Sequence, residues 1–229
     1  MEQGEVRSSG TFVGIGDPVF NQADPRYRAI RTSGVSNTSM ALPRLPNSAA
    51  EVDACSRAWG AGSPQLLTGV TANAQAVESA LAGSPAIVHF ATHVVSGPGE
   101  FGSGLIALSL DEQGMIGLMG PQDIAARRVA GSLVVMDGCH SAQGQTLPGS
   151  GLMGLTRAWI GAGASAVLST RWDVPDETAQ SFMVNFYRAL RAGGHPALAL
   201  REAQLAALRS GGQDRQPLRW AGYFVLSRI

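Results

Sequence analysis

At 229 residues the chain is long enough to bury a substantial core. Hydrophobic residues make up 45% and charged residues 15%, which excludes the disordered class. Its 17 basic residues, all arginine, balance 17 acidic ones, so no net field exists to hold nucleic acid or an anionic membrane.

In chain order, residues 1–10 have neither a basic nor an apolar leader pattern and read as disordered. Thr11–Ile15 is the first predicted strand, broken by Gly16-Asp17-Pro18. Residues 21–46, rich in Arg, Ser, Asn and Pro, read as a long loop, with Asn47 as the cap of a following helix. Gln65–Leu67 is a second strand, Thr71 the cap of a second helix, and Ala86–Thr92 a third strand. Leu105–Leu110 and Met115–Leu118 flank D-E-Q-G and predict a β-hairpin. A short helix starts at Pro121. Leu133–Met136, unbroken in apolarity, reads as a buried parallel strand. A helix around Leu152–Ala162, a strand Ala166–Ser169, helices Glu177–Ala192 and Pro196–Arg209, and a strand Tyr223–Leu226 complete the pattern. This β-α-β-α order predicts a mostly parallel, doubly wound sheet with helices on both faces. No run approaches 18 apolar residues, so no membrane span is expected. The two cysteines, Cys55 and Cys139, cannot build a disulfide framework, which points to a reducing, cytoplasmic setting.

Chemistry in such sheets lies outside the carboxyl ends of the strands. The third strand runs through H-F-A-T-H to His93, and the later buried strand runs L-V-V-M-D-G-C-H-S to Cys139. An imidazole and a thiol at neighbouring strand ends can face one crevice, as a cysteine nucleophile and its acid/base require. Cys55 shares a helical face with Val52, Ala58 and Trp59 and reads as core. His89 reads as a core histidine bonded to a backbone group, and His195 as a solvated surface residue.

The runs I-V-H-F-A-T-H, D-G-C-H-S-A-Q-G, G-L-M-G-L-T-R-A-W-I-G-A-G-A-S-A-V-L-S-T-R-W-D-V-P-D and R-W-A-G-Y-F-V-L resemble the CHAT domain. That domain belongs to the caspase-like (clan CD) cysteine peptidases, with separase, metacaspases, clostripain and gingipains. The resemblance spans Thr11 to Ile229. It implies a caspase-like, six-stranded α/β sheet forming one domain over residues 1–229. It implies His93 and Cys139 as a catalytic dyad cleaving protein or peptide substrates, with the backbone N–H groups of Val94 and Cys139 receiving the oxyanion. It also implies a regulatory helical-repeat domain or partner, and no cofactor. Two departures stand out: Val94 replaces a common glycine, and Asp137 stands where most CHAT domains carry a small residue.

Asp137 matches the metacaspase pattern, in which an acid two residues before the nucleophile lines the primary specificity pocket. R-W-D-V-P-D looks like a separase segment that also supplies an acid. The resemblance therefore nominates Asp137 and Asp173 as receivers of a basic side chain, with Asp176 as a helix cap. A blander role for Asp137 is to bond backbone amides of the loop that shapes Cys139.

Other readings compete. The fold could serve as a catalytically degenerate interaction module. Gly149-x-Gly151-x-x-Gly154 matches a dinucleotide fingerprint, but about ten residues separate it from its strand, where the fingerprint follows directly. A zinc site from His89, His93, Cys139 and His140 needs a helix to converge the two histidines, whereas the segment reads as a strand, so no metal is expected. Trp172 and Trp220 suit either the core or a substrate groove.

Overall fold

The computed structural model describes residues 6–7, 10–27, 42–97, 104–137, 149–172, 174 and 176–228, with 149–152 and 176–178 as backbone alone. Strand β1 (Phe12–Pro18) is buried along its whole length. Helix α1 (Pro46–Trp59) follows, then β2 (Gln65–Gly69), α2 (Ala74–Ala82) and β3 (Ile87–Ala91). Three strands, β4 (Val94–Ser96), β5 (Gly104–Leu110) and β6 (Ile116–Met119), precede α3 (Pro121–Ala125) and β7 (Leu133–Met136). The chain continues through α4 (Gly149–Gly161), β8 (Ala166–Thr170), α5 (Asp176–Gly193), α6 (Pro196–Arg209) and β9 (Tyr223–Ser227).

The main sheet has six strands in the order β2-β1-β3-β7-β8-β9, parallel except for β9, which runs antiparallel to β8. This is the predicted mostly parallel α/β architecture. The predicted hairpin is β5–β6, and it belongs to a second antiparallel sheet, β4-β5-β6. Strand β4 was not anticipated, because three residues are too few to show a period.

Alternation along each strand sorts the core into two layers. Val13, Ile15, Val88, Phe90, Val134 and Met136 turn to the face covered by α2 and α4, where Phe90 and the fully buried Trp159 lie 5.7 Å apart. Phe12, Ile87, Leu133, Val135 and Leu168 turn to the face covered by α1, α5 and α6, which contribute Cys55, Phe182, Phe186, Leu190 and Ala203. The unbroken apolar runs of β3, β7 and β8 thus reflect burial on both sides.

Helix α1 lies unusually close to β1. A Cβ on Gly14 would sit 2.9 Å from the Val52 Cβ, and one on Gly16 would sit 2.6 Å from the Ser48 carbonyl oxygen. Two side-chain-free positions in the strand are what let the helix seat there.

Both predicted caps move. Helix α1 starts at Pro46, with Leu45 at the cap position and no side-chain cap, while Ser48 Oγ donates to the Leu45 carbonyl. A proline at the first turn needs no capping partner for its missing N–H. Helix α2 is capped by Asn73, whose side chain accepts from the Ala76 N–H at 2.9 Å. The Thr71 hydroxyl instead closes the preceding turn onto the Thr68 carbonyl. The three fingerprint glycines fall within α4, and the segment joining it to β7 lies outside the described residues. Val6 is buried, and Arg7 donates to the Ser84 and Pro85 carbonyls, so these two residues of the expected disordered lead are docked. Helix α5 begins at Asp176, whose side chain, and hence its cap role, lies outside the described residues.

Candidate active site

At the carboxyl end of β3 the chain is pinned before it turns into β4. Thr92 Oγ1 donates to the Ala107 carbonyl at 2.7 Å, and the Ala107 N–H donates to the His93 carbonyl at 2.8 Å. His93 follows, fully buried. Its Nε2 lies 2.8 Å from the Pro43 carbonyl oxygen, and its ring packs 5.1 Å from that of Phe20. A carbonyl can only accept, so Nε2 carries the hydrogen in that bond. The carbonyl–imidazole bond was invisible in the sequence, because any residue supplies a backbone oxygen.

Strand β7 lies beside β3, with Phe90 opposite Met136, an offset of 46 residues that also separates His93 from Cys139. The Asp137 N–H donates to the Phe90 carbonyl at 3.0 Å and extends this pairing past the strand end. Cys139 itself lies outside the described residues, as do His140 and Asp173. Val94 is buried at the start of β4, opposite Ile106. The bond from Ala107 to His93 makes those two a hydrogen-bonded pair, so alternation turns the Val94 N–H away from β5.

Asp137 is 9% exposed, and its Oδ1 accepts the Tyr223 hydroxyl at 2.5 Å; the loop amides weighed above as its partners lie outside the described residues. Tyr223 is itself held by stacking on Phe182, with ring centroids 4.3 Å apart. Burial pushes the Asp137 carboxyl well above the usual carboxylate range, and the nearby Glu51 carboxylate pushes it further. His89 and the Tyr223 hydrogen bond act in the opposite direction.

Glu51 is the residue that sequence reasoning missed. It is 1% exposed, and its Oε1 lies 3.2 Å from His89 Nε2. The Tyr187 hydroxyl sits 3.2 Å from His89 Nδ1. His89 is therefore a core histidine as expected, but a side chain, the Tyr187 hydroxyl, rather than a backbone group meets its ring. The available signal was spacing: Glu51 precedes Cys55 by four residues and so shares its buried face. Cys55 is fully buried, and burial followed by Glu51 and Asp137 drives its thiol well above its ordinary range. Among the described residues, Glu51, Cys55 and His89 bring donor atoms of metal-binding type within 4.8 Å of one another. Of the zinc grouping weighed above, the two described histidines engage different partners, the Pro43 carbonyl for His93 and the Tyr187 hydroxyl for His89.

Burial lowers the His89 pKa from 6.5 to about 4, against the opposing pull of Asp137. Between those values the unfolded chain binds a proton that the native fold refuses, so this group's contribution is full above pH 6.5 and lost as pH falls towards 4. The stability advantage of wild type over His89→Gln is expected to grow by about 3 kcal/mol across that window. Urea melts of both proteins from pH 4 to 7 read it, and a constant difference would contradict the neutral, buried state.

Trp172 is 36% exposed and donates from Nε1 to the Leu218 carbonyl at 2.7 Å; Trp220 donates to the Arg215 carbonyl at 3.2 Å. Both indoles pin the turns beside β8 and β9. His195 is half-buried at the start of α6 rather than fully solvated. Among the described residues no helix is long and apolar enough to cross a membrane.

A family model for the CHAT domain matches residues 2–228. Tetratricopeptide repeat protein 28 of Mus musculus is 32% identical over 109 residues, which is 48% of this chain and 4% of that protein. Its Homo sapiens counterpart is 30% identical over 109 residues, with the same coverage of 48% and 4%. The matched stretch is thus a small fraction of either relative. The crystal structure of the Arg specific cysteine proteinase gingipain R superposes with a TM-score of 0.55 at 10% identity, covering 95% of this chain and 46% of that one. At that identity the likeness concerns the fold alone. The chain belongs to the CHAT domain family and carries the caspase-like fold of the clan CD cysteine peptidases.

Proposed function

We propose that the chain is a cysteine endopeptidase that cleaves proteins after a basic residue. Cys139 is the nucleophile and His93 the acid/base, and residues 1–229 work as one peptidase unit. The observation that carries this reading is the His93–Pro43 bond, which fixes one tautomer at the end of the strand neighbouring the one that leads to Cys139. In the reaction, the Cys139 sulfur bonds to the scissile carbonyl carbon while the Val94 and Cys139 N–H groups bind the oxygen. His93 takes the Cys139 thiol proton as the S–C bond forms and delivers it to the departing amine as the C–N bond breaks. Water, deprotonated by His93, then adds to the thioester carbon, the C–S bond breaks, and His93 returns the proton to the Cys139 sulfur.

Asp137, with Asp173, receives the basic side chain. Supporting this are the burial of Asp137 at the strand end and the second buried acid, Glu51, nearby. Two carboxyls in a dry site are costly to ionise together, and a cation relieves both. A guanidinium answers with forked bonds that an ammonium matches only in part, so Arg substrates should exceed Lys. The name of the mammalian relatives supports a helical-repeat domain or partner for this chain too. Two cysteines, one of them fully buried, fit a reducing cytoplasmic setting.

A fluorogenic peptide library with wild type and Cys139→Ala tests the reading. Cleavage after Arg that vanishes in the variant is expected, and cleavage retained there would overturn it. Asp137→Ala is expected to lower kcat/KM for Arg substrates by about 30-fold while leaving the thiol reactive. A wild-type preference for Asp or Leu would remove the specificity assignment and leave the dyad standing. A folded protein that cleaves no peptide would support the interaction-module reading instead.

A further inference from the structure

The bond that fixes His93 is only as firm as the segment carrying the Pro43 carbonyl. Proline fixes φ at 43, so the direction of that carbonyl depends on ψ, that is, on where Arg44 is held. Among the described residues, Arg44 is held by Asp17. Its Nε donates to Asp17 Oδ1 at 2.9 Å and its Nη2 to Oδ2 at 2.7 Å, the forked geometry of a strong charge-assisted pair. Asp17 is 5% exposed and sits at the end of β1 with φ 45, a backbone state few residues other than glycine adopt without compensation. The compensation is visible. The Asp17 N–H donates to Ser48 Oγ at 2.7 Å, Ser48 Oγ donates to the Leu45 carbonyl at 2.8 Å, and Arg26 Nη1 donates to Asp17 Oδ2 at 2.6 Å. Asp24 balances Arg26 through a second contact of 2.6 Å, so two arginines meet two acids. Leu42 and Leu45, on either side of the Pro43–Arg44 pair, are buried. Since β1 pairs with β3, with Gly16 opposite Ala91, Asp17 and His93 stand at the same end of the sheet.

We infer that Asp17 and Arg44 form a clamp that aims the Pro43 carbonyl and, through it, sets the tautomer and orientation of His93. They are positioning residues for the dyad, an inference that rests on His93 being its acid/base. The clamp explains why a buried aspartate is held in a left-handed backbone state at a strand end. Its carboxylate must reach residue 44 while its N–H reaches residue 48.

The test uses the full chain labelled with 15N-histidine. The four histidines are resolved by imidazole nitrogen spectra, and His93 is assigned by loss of its signals in His93→Gln. Wild-type His93 is expected as the single tautomer protonated at Nε2. In Arg44→Ala that signature should give way to a tautomer mixture with a shifted titration. Peptide cleavage should lose about ten- to hundredfold in kcat with KM within about twofold, and Arg44→Lys should restore part of both. The Arg44 side chain is 54% exposed, so its removal should leave the fold intact; Arg44→Gln and Asp17→Asn serve as independent breaks of the clamp. Unchanged His93 spectra in folded Arg44→Ala and Arg44→Gln would overturn the clamp whether or not the protein cleaves peptides. An inactive wild type with clamped spectra would instead overturn the peptidase reading alone.

Discussion

His93→Gln is expected to lower kcat by about 10²- to 10⁴-fold, the range a positioned general acid/base contributes. Glutamine keeps a donor for the Pro43 carbonyl and much of the ring's bulk, so the fold should hold. What it lacks is a nitrogen that can take and return a proton. The loss should therefore fall on kcat, with KM little changed, and the His93 limb of the pH–rate profile should disappear. Steady-state kinetics on one Arg peptide, with a thermal melt as the folding check, read the effect. A loss below about tenfold would mean that another group transfers the proton.

The largest expected structural effect comes from a single methyl group. In Gly16→Ala the new Cβ would lie 2.6 Å from the Ser48 oxygen, 2.8 Å from the Ser48 carbonyl carbon and 3.1 Å from the Ala49 nitrogen. All three are backbone atoms, which cannot rotate aside, so β1 and the first turn of α1 must part. We expect a loss of about 3 kcal/mol or more, the upper end for overpacking. In a chain of this size that corresponds to a Tm lowered by roughly 6–12 °C. Because Ser48 also holds Asp17 and Leu45, activity should fall more steeply than stability. Gly14→Ala meets the ends of the Leu66 and Phe12 side chains, which can shift, and the Val52 Cβ at 2.9 Å, which moves only with α1; with one fixed atom in place of three, it should cost less. Equal melting temperatures for the two variants would contradict this account of how α1 seats on β1.

The sequence made the central sheet legible because β3, β7 and β8 are covered on both sides and leave continuous apolar runs. Register is implicit there as well, since the His93–Cys139 spacing equals the β3–β7 offset. Caps were harder to read. Thr71 and Asn73 both offer a side-chain oxygen near the start of α2, and only the geometry of the preceding turn decides which one meets the helix. The surroundings of the site were hidden for two reasons. Pro43 acts through a carbonyl that every residue possesses. Glu51 is a charged residue on a helix face otherwise facing the core, and its partner His89 arrives 38 positions later from another element. Sequence periodicity marks a charge of that kind as an interruption of the apolar face, and only the fold supplies its partner.

Labelling with a peptidyl Arg acyloxymethyl ketone tests the central assignment most directly. The chain has two cysteines, and Cys55 is fully buried with its thiol pushed up, which makes it the internal control. One adduct per chain on Cys139, absent in Cys139→Ala and slowed in His93→Gln, is the predicted result. A folded protein left unlabelled at Cys139, or labelled equally at Cys55, would contradict it.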